Sequence, residues 1–407
     1  MTLALPARPH PATGLALADL ARRGALLGAI LISGGNLLIP RIPVLALVLG
    51  LGLLALAATP RRSRSESVAA VLLLLGVVLL LSLGRSGLAE AGALVTRYAN
   101  FAGGLTLLLI YLRAGRDRFV GDFVALIFPL AWVAIATVVL ATLAGPLFQP
   151  LEVEETVYYQ LFLIFNYHVQ VEDAGGLMRA NGPFYEPGVF HIYLNLLLYI
   201  FLFVKRNFRR AGVTALAVAA TQSTTGVAVA CGLGALVLWR ELGRGSLHRR
   251  AAMLLLGAAV AALVAGPVID NVRSKLVGDF AGSSWSRQFD LITGLNVVRA
   301  HPLVGIGFDQ ETYRQLSGAY AFEDTLLDDR ITENRGNTNG VIVLLYSVGI
   351  PLGLVFLWGM FRQTMLPDRV LVGGVLFVSL LTESILFTPF FLMFIFSGLL
   401  LKARRWA

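Results

Sequence analysis

Long apolar runs alternate with short polar segments along most of the chain. Runs of about the length that crosses a bilayer, roughly 17 to 25 residues, lie at 24–40, 42–59, 67–84, 97–112, 119–143, 189–204, 224–239, 251–269, 339–361, 370–384 and 385–401. The run 211–222 is too short to cross alone, and a polar stretch, 221–226, separates it from the run that follows. The pattern predicts an all-α polytopic membrane protein with about twelve transmembrane segments.

The distribution of charge decides how the region 211–239 is built. If it forms a hairpin broken at the polar stretch, both termini lie inside, and 22 of the 33 Lys and Arg residues fall on the inner side. A single span would place the basic segment 240–250 and the basic C-terminus outside, although inner loops normally carry the excess of positive charge. The charge pattern therefore favours the hairpin. Its non-helical tip is expected to line a protein-filled or wet cavity.

Composition supports a membrane protein and excludes several kinds of site. Mean hydropathy is +0.76 and 14% of residues are charged, compared with about a quarter in soluble domains. The single cysteine, Cys231, lies in an apolar run and the five histidines are scattered, so we expect no disulfide, metal site or cofactor. The N-terminus holds three prolines and no apolar core, so the first span is expected to act as an uncleaved signal.

Two of the polar segments are too long to be mere connections, since loops longer than about 15 residues are usually functional or disordered. The chain therefore divides into N-terminal spans 1–144, a first long outer loop 145–188, central spans 189–270 with the broken hairpin 211–239, a large outer loop 271–338 and C-terminal spans 339–407. Amphipathic spacing at 286–298 predicts a helical cap outside the membrane. No visible repeat relates the two halves, which weakens a transporter interpretation.

Four polar clusters gather on the predicted outer side. They are 179–190, the hairpin tip 221–226, the stretch 283–307 and the stretch 330–339. Arginine is the side chain best suited to oxyanions, because its planar fork forms paired, charge-assisted hydrogen bonds and keeps its proton. Charged groups at the edge of a span are usually functional. These clusters predict a site for a phosphate or carboxylate group at the outer face.

The first three clusters also have structural interpretations. Arg179 and Arg287 could pair with acidic loop residues, and Glu186 could cap the helix that follows it, where the helix dipole favours an acid. The Ser/Thr tip could merely satisfy freed backbone groups. Both interpretations of each cluster stay open from the sequence.

Other polar residues are more readily explained by structure than by chemistry. The stretch 301–307, with two glycines, is more typical of a turn than of a ligand site. Arg330 and Arg335 lie among five acidic residues, so ion pairing is the default there. His168 and His191 have no partner at a recognisable spacing and receive no role.

The order of these clusters resembles the bacterial O-antigen ligase and polymerase superfamily, the Wzy/WaaL-type membrane glycosyltransferases. The similar elements are Arg-x-x-Gly-x-Phe-x-x-Pro at 179–187, the Ser/Thr-rich break at 221–226, Ser286-Arg287 followed by His-Pro-x-x-Gly-x-Gly at 301–307, and an Asn-rich start of a span that continues to Gly349 and Gly353. They cover about residues 175 to 355. The resemblance implies a GT-C-like helical fold and metal-free transfer of a glycan from an undecaprenyl-diphosphate carrier.

Two departures from the ligase pattern favour the polymerase side of this superfamily. Ligases carry His-Asn at the start of the late span, where this chain has Thr338-Asn339, and an arginine in the broken span, where it has Thr224. The string Phe-Tyr-Glu-Pro-Gly at 184–188 is also more similar to exopolysaccharide polymerases. The resemblance thus implies an enzyme that extends lipid-linked repeat units.

A mechanism follows from the chemistry of a glycosyl diphosphate. Negative charge builds on the leaving phosphate, so fixed cations stabilise the transition state more than the ground state. Arg179 and Arg287 are the proposed clamp. The attacking hydroxyl needs a proton acceptor, and Glu186 is the first candidate, with Glu333 second. The remaining predicted substrate-binding residues are Ser223, Thr224, Tyr185, Thr338 and Asn339. Single displacement would invert the transferred anomeric carbon.

Three functions remain open from the sequence. The leading hypothesis is a polymerase of O-antigen or exopolysaccharide repeat units in the bacterial inner membrane, with its active site facing the periplasm. Its partners would be the lipid-linked glycan, the bilayer, and a chain-length regulator and flippase of the same pathway, with no nucleic acid. The alternative is a ligase that transfers the glycan to lipid A-core or protein. A flippase or other transporter is the third, although the charges lie at the ends of the spans.

Overall fold

Helices dominate the chain, as the apolar runs predict. A computed structural model describes residues 11–36, 38–59, 67–86, 91–153, 156–169, 178–242, 281–319 and 336–401. Within these residues, five helices are long and apolar enough to cross a membrane: Arg41–Ala58, Ala91–Ala114, Arg116–Leu147, Pro187–Val204 and Gly340–Phe361. The fold is that of a helical membrane protein. The run 251–269, predicted to be a span, lies outside the described residues, so a total of twelve spans stays a prediction.

The N-terminal part is a series of five helices. They are α1 Pro11–Gly34, α2 Arg41–Ala58, α3 Ala69–Ser86, α4 Ala91–Ala114 and α5 Arg116–Ala144. The first helix begins and ends earlier than the run 24–40 predicts. It stops where Gly35 adopts a φ of +62°, a conformation that suits glycine because it has no Cβ, and Pro40 then precedes α2.

A buried ion cluster ties α1 to α5. The Nε atom of Arg22 donates to Asp122 Oδ2 at 2.6 Å, and that of Arg23 donates to Asp122 Oδ1 at 2.9 Å. Tyr111 of α4 donates to the same carboxylate at 3.3 Å, and Asp19 pairs with Arg22 on the other side. Because an isolated buried charge is very costly, these mutual contacts are what allow Arg22 and Asp122 to be buried.

The first long outer loop forms a sheet, which corrects the prediction of a purely helical cap. Strands β1 Gln149–Val153, β2 Thr156–Leu161, β3 Phe165–Val169 and β4 Met178–Ala180 pair antiparallel in the order β1-β2-β3-β4. Tyrosine, phenylalanine and β-branched residues, which favour strands, are frequent here. One face packs on the end of α5, where the rings of Phe148 and Tyr167 lie 5.0 Å apart. This end of the helix bundle is called the sheet end below.

The helix α6 Pro187–Tyr199 lies at the centre of the bundle, and every one of its residues is buried. It continues through a π-helical turn, Ile200–Val204. The next two helices, α7 Phe208–Ala220 and α8 Thr224–Leu242, are joined by residues 221–223.

Both free ends of the pair α7–α8 lie at the same end of α6. The guanidinium carbon of Arg210 is 6.0 Å from the Phe201 ring, and that of Arg240 is 5.0 Å from the Phe203 ring. The joined ends lie near the start of α6, where Gly226 packs against His191. The two helices therefore form a hairpin, the arrangement that the charge pattern favours over a single span.

The C-terminal part contains α9 Ala281–Ala300, α10 Gln310–Gly318, α11 Gly340–Phe361, α12 Arg369–Leu380 and α13 Pro389–Gly398. The helices α9 and α10 supply the helical portion of the predicted cap. The runs 370–384 and 385–401 are shorter as helices than as apolar stretches, because α12 ends at Leu380 and α13 begins at Pro389. An eight-residue connection, 381–388, separates them.

The segment 301–307 docks against a break in α11, so its glycines have a structural explanation. Gly349 has a φ of +79° inside α11. The backbone N–H groups of Ile306 and Gly307 donate to the carbonyl oxygens of Tyr346 and Ser347 at 2.6 and 3.0 Å. A Cβ atom at Gly349 would overlap the carbonyl group of Leu303. The two backbones can approach this closely only because a glycine lies between them.

We expect Gly349→Ala to destabilise the protein by about 1–3 kcal/mol, since an overpacked contact in an unfavourable backbone conformation must relax. The matched control is Gly50→Ala in α2, where a Cβ atom meets nothing within 4 Å. Thermal unfolding of the purified variants in detergent micelles measures both effects. Equal melting temperatures for Gly349→Ala and wild type would show that the break does not depend on glycine.

Candidate functional site

A tight turn between β4 and α6 positions the first cluster. The side-chain amide of Asn166 donates to the carbonyl oxygen of Gly182 at 2.8 Å, and that of Asn181 donates to the carbonyl oxygen of Tyr185 at 2.8 Å. The ring of Phe184 stacks on Tyr193 of α6 at 5.4 Å. These contacts fix the start of α6 relative to the sheet, and they place Arg179 and Glu186 on opposite sides of one turn.

Arg179 is a half-buried cation at the end of the sheet. Burial disfavours its charged form and lowers its pKa to about 10. The charge of Glu186 opposes this shift, and the charge of Arg287 adds to it. With a pKa near 10, the guanidinium group stays protonated at neutral pH. The residue is thus a fixed positive charge with a carboxylate and a second arginine within electrostatic reach.

Glu186 occupies the N-cap position of α6 without capping the helix. Its backbone is extended, with φ of −125° and ψ of 140°, and its side chain makes no capping hydrogen bond. Glu186 is also exposed. The structural interpretation, in which this glutamate merely caps the helix, therefore does not account for the direction of its side chain.

Glu383 is the residue of this site that sequence reasoning missed. It lies in the connection 381–388 and is 7% exposed. A Cβ atom at Gly188, in the first turn of α6, would overlap its carboxyl group, so the glycine makes room for it. Its carboxyl group lies within hydrogen-bonding reach of Glu186. Burial raises the pKa of Glu383, and the charge of Glu186 raises it further, so Glu383 is the carboxyl group that holds a proton.

Arg287 completes the cluster from the other long loop. It is an exposed residue near the start of α9. Its charge acts on both Glu383 and Arg179. Two arginines and two glutamates therefore lie within electrostatic reach of one another near the start of α6, although they come from three separate parts of the chain.

A buried polar layer lies beneath this cluster, between α6 and the hairpin tip. His191 and Asn195 are fully buried on successive turns of α6. The Nδ2 atom of Asn195 donates to the carbonyl oxygen of Gly226 at 3.0 Å, and the His191 ring packs directly against Gly226. His191 lies within electrostatic reach of Arg179 and Arg287. The layer holds the tip of the hairpin against the helix that carries Glu186.

His168 supports the turn from the sheet side. Its Nδ1 atom lies 3.0 Å from Asn181 Oδ1. Burial, and to a smaller extent the charge of Arg179, lowers its pKa to about 4. The imidazole is therefore neutral at neutral pH. Neither His168 nor His191 was distinguishable by spacing in the sequence, because each is paired through the fold.

Ser223 and Asn339 make local backbone contacts. Ser223 Oγ accepts from the N–H group of Gly226 at 3.3 Å, so the structural interpretation holds for this hydroxyl group. Asn339 is the N-cap of α11, and its Oδ1 atom accepts from the N–H groups of Val341 and Ile342 at 3.1 Å each.

The other predicted substrate-binding residues are placed as follows. Thr338 donates from Oγ1 to Asp290 Oδ2 at 2.5 Å, which anchors the start of α11 to α9. The Tyr185 ring lies 5.1 Å from that of Tyr158, beside the Arg179 turn. Thr224 is the first residue of α8. Glu333 lies outside the described residues.

One signal in the sequence points to Glu383. It is the single charged residue between Arg369 and Lys402, within an otherwise apolar stretch, and ionisable residues in such stretches usually have a functional or paired role.

Comparisons with protein-family models, with curated proteins and with solved structures found no match for this chain. The candidate site therefore rests on its own geometry: two guanidinium groups within electrostatic reach of two carboxyl groups, one exposed and one buried.

Proposed function

We propose that the chain polymerises undecaprenyl-diphosphate-linked oligosaccharide repeat units, for O-antigen or exopolysaccharide, at the outer face of a bacterial inner membrane. The observation that carries the proposal is the convergence of Arg179, Arg287, Glu186 and Glu383 at the start of α6. Displacement at a glycosyl diphosphate needs fixed positive charge for the leaving group and a proton acceptor for the attacking group. This cluster supplies both.

The two arginines bind the diphosphate. Each guanidinium group offers paired N–H donors to phosphate oxygens. As the bond between the anomeric carbon and the phosphate oxygen breaks, its electron pair passes to the diphosphate. The fixed charges of Arg179 and Arg287 then interact with more negative charge than in the ground state, which lowers the barrier. Half-burial of Arg179 strengthens this interaction because less water screens it.

Glu186 takes the proton of the attacking sugar hydroxyl. Its carboxylate is exposed and makes no helix cap, so an acceptor sugar can reach it. The neutral carboxyl group of Glu383 donates to Glu186 and holds it in place. The hydroxyl oxygen attacks the anomeric carbon from the side opposite the diphosphate, and the configuration at that carbon inverts. Residues of the hairpin tip and of the start of α11 shape the walls of this site.

Glycan analysis of a strain that lacks the gene tests the function. We expect single repeat units on the cell surface, because flipping and attachment continue without polymerisation. Expression of the wild-type chain should restore long glycans, and the Glu186→Gln chain should not. Lipid-linked polymer that accumulates without attachment would instead identify a ligase. Repeat units that remain on the inner leaflet would identify a transporter.

The orientation of the site is a separate prediction. In a Cys231→Ser background, a cysteine at exposed Gln310, in the same long loop as Arg287, is expected to react with a membrane-impermeant thiol reagent added outside. A cysteine at exposed Asn207, between α6 and α7, is expected to react only after permeabilisation. Labelling in the reverse order would place the candidate site in the cytoplasm and exclude the proposed reaction.

A further inference from the structure

An apolar hairpin tip is exposed at the sheet end of the bundle. Strands β2 and β3 are joined by Phe162, Leu163 and Ile164, whose side chains are 79%, 42% and 37% exposed. These three residues are called the hairpin tip below. Large exposed apolar patches on a protein usually mark an interaction surface. The hairpin tip therefore calls for a partner.

The backbone of the hairpin tip is fixed in an unfavourable conformation. Phe162 and Leu163 have φ angles of +53° and +64°, a region that turns usually fill with glycine, asparagine or aspartate. The side-chain amide of Asn166 donates to the carbonyl oxygen of Leu163 at 2.9 Å, and to that of Gly182 at 2.8 Å. The fold thus holds large apolar side chains outward at a cost in strain, and such strain often accompanies function.

The strand register places the hairpin tip beside the end of a membrane-spanning helix. Gln149 follows the span Arg116–Leu147 by two residues and pairs with Gln160, which precedes the tip by two residues. At the base of the tip, Leu161 packs against an apolar cluster that includes Ala141 of the last turn of α5. The hairpin tip is therefore level with the end of the span, where the bilayer meets water.

The same end of α5 presents apolar side chains outward. Val139 and Leu143 are exposed one helical turn apart, and Leu147 is exposed beyond them. In a helix that crosses a membrane, exposed apolar side chains of this kind face lipid. The hairpin tip adds a second exposed apolar surface at the same level.

The distribution of charge along the sheet agrees with this level. Residues 156–169 contain no Lys, Arg, Asp or Glu, so no ionised side chain of this hairpin has to leave water with the tip. Exposed Glu152 pairs with Val157, four residues and about 13 Å along β2 from Leu161. The acidic end of the sheet is therefore opposite to the hairpin tip.

We propose that the hairpin tip inserts into the lipid leaflet at the sheet end and anchors the sheet to it. Phenylalanine and leucine side chains gain free energy when they leave water for the boundary between headgroups and acyl chains. Lipid fits better than a protein partner, because the tip is level with the end of a span whose exposed side chains already face the bilayer. The anchored hairpin is also bonded, through Asn166 and Gly182, to the turn that carries the candidate site.

Spin labels on the full-length chain in phosphatidylcholine nanodiscs test this placement. In a Cys231→Ser background, a label at Phe162→Cys is compared with labels at Leu143→Cys, on the exposed side of α5, and at Glu152→Cys, at the opposite end of the sheet. Oxygen concentrates in hydrocarbon and a water-soluble nickel chelate does not, so the ratio of their collision rates reports the surroundings of each label. We expect the ratio at position 162 to match that at 143 and to exceed that at 152 several-fold.

Ile164→Cys, at the other side of the tip, covers the possibility that Phe162→Cys does not fold, and the same ratio is expected there. The proposal is wrong if the labels at 162 and 164 meet the nickel chelate as often as the label at 152, because the tip then stands in water. It is also wrong if both labels are shielded from oxygen and from the chelate, which would show that protein, such as a second copy of this chain, covers the tip. The measurement requires no glycan transfer, so its outcome is independent of the proposed function.

Discussion

Glu186→Gln is expected to lower the rate of glycan transfer by about 100-fold to 10,000-fold, the usual contribution of a positioned base. The amide keeps the size of the side chain and can still accept a hydrogen bond from Glu383, but it cannot take a proton from the attacking hydroxyl group. Binding of the lipid-linked donor should remain close to wild type, because the proposed diphosphate clamp of Arg179 and Arg287 is unchanged. Chain growth on purified lipid-linked repeat units, together with donor binding, measures both quantities.

Glu383→Gln serves as the paired variant, with a smaller loss and a changed pH profile. In the wild type, a rise in pH removes the proton of Glu383, whose pKa is raised by burial, and the new carboxylate then repels Glu186 and the diphosphate. Activity should therefore fall on the alkaline side. Glutamine is neutral at every pH, so this alkaline fall should disappear. Long chains at normal rate from Glu186→Gln would contradict the assignment of the base. An unchanged alkaline fall in activity in Glu383→Gln would contradict the role of the Glu383 proton.

Arg179→Lys and Arg287→Lys are each expected to slow transfer by about 100-fold to 1,000-fold, comparable to the loss of one donor from a preorganised anion site. Lysine keeps the charge but not the planar fork that binds two phosphate oxygens at once. Because the substitution conserves charge on half-buried or exposed residues, insertion and expression should be preserved. Initial rates at saturating donor measure the effect.

Arg299→Lys is the matched control for Arg287→Lys. It makes the same chemical change at the opposite end of the same helix, α9, where the side chain is exposed. Its rate should equal that of wild type. If the Lys and Ala variants of both Arg179 and Arg287 polymerise at the wild-type rate, these arginines are structural and the diphosphate binds elsewhere.

The helical membrane architecture and the hairpin could be predicted from the sequence, because both follow from long-range patterns of apolarity and charge. The burial of Arg22 and Asp122 could not be predicted from the sequence. They are a hundred residues apart, and the pairing that makes the burial tolerable exists only after folding. The sheet in the first long loop was missed because its strands are short and lie outside any apolar run.

In the candidate site, too, residues close together in the sequence could be predicted, and contacts between distant parts of the chain could not. Arg179 and Glu186 could be identified because they share one short motif at the edge of a span. Glu383 could not be joined to them, because almost two hundred residues separate it from Glu186 and only the packing of the connection 381–388 against Gly188 brings them together. Substrate binding by Thr338 and Asn339 stays a prediction; the described contacts of their side chains are with Asp290 and the first turn of α11.

The short helices α12 and α13 have a consequence for the surrounding lipid. With 12 and 10 residues, they measure about 18 Å and 15 Å, against roughly 30 Å of hydrocarbon in a typical bilayer. Their connection therefore lies below the level that a full-length span would reach, and lipid beside the exposed residues of α12, such as Val370 and Val378, would thin or admit water to relieve the hydrophobic mismatch. A charged headgroup descending to this depth meets less hydrocarbon than elsewhere. Under the proposed function, acyl-chain length would control how easily a polyprenyl carrier delivers its cargo.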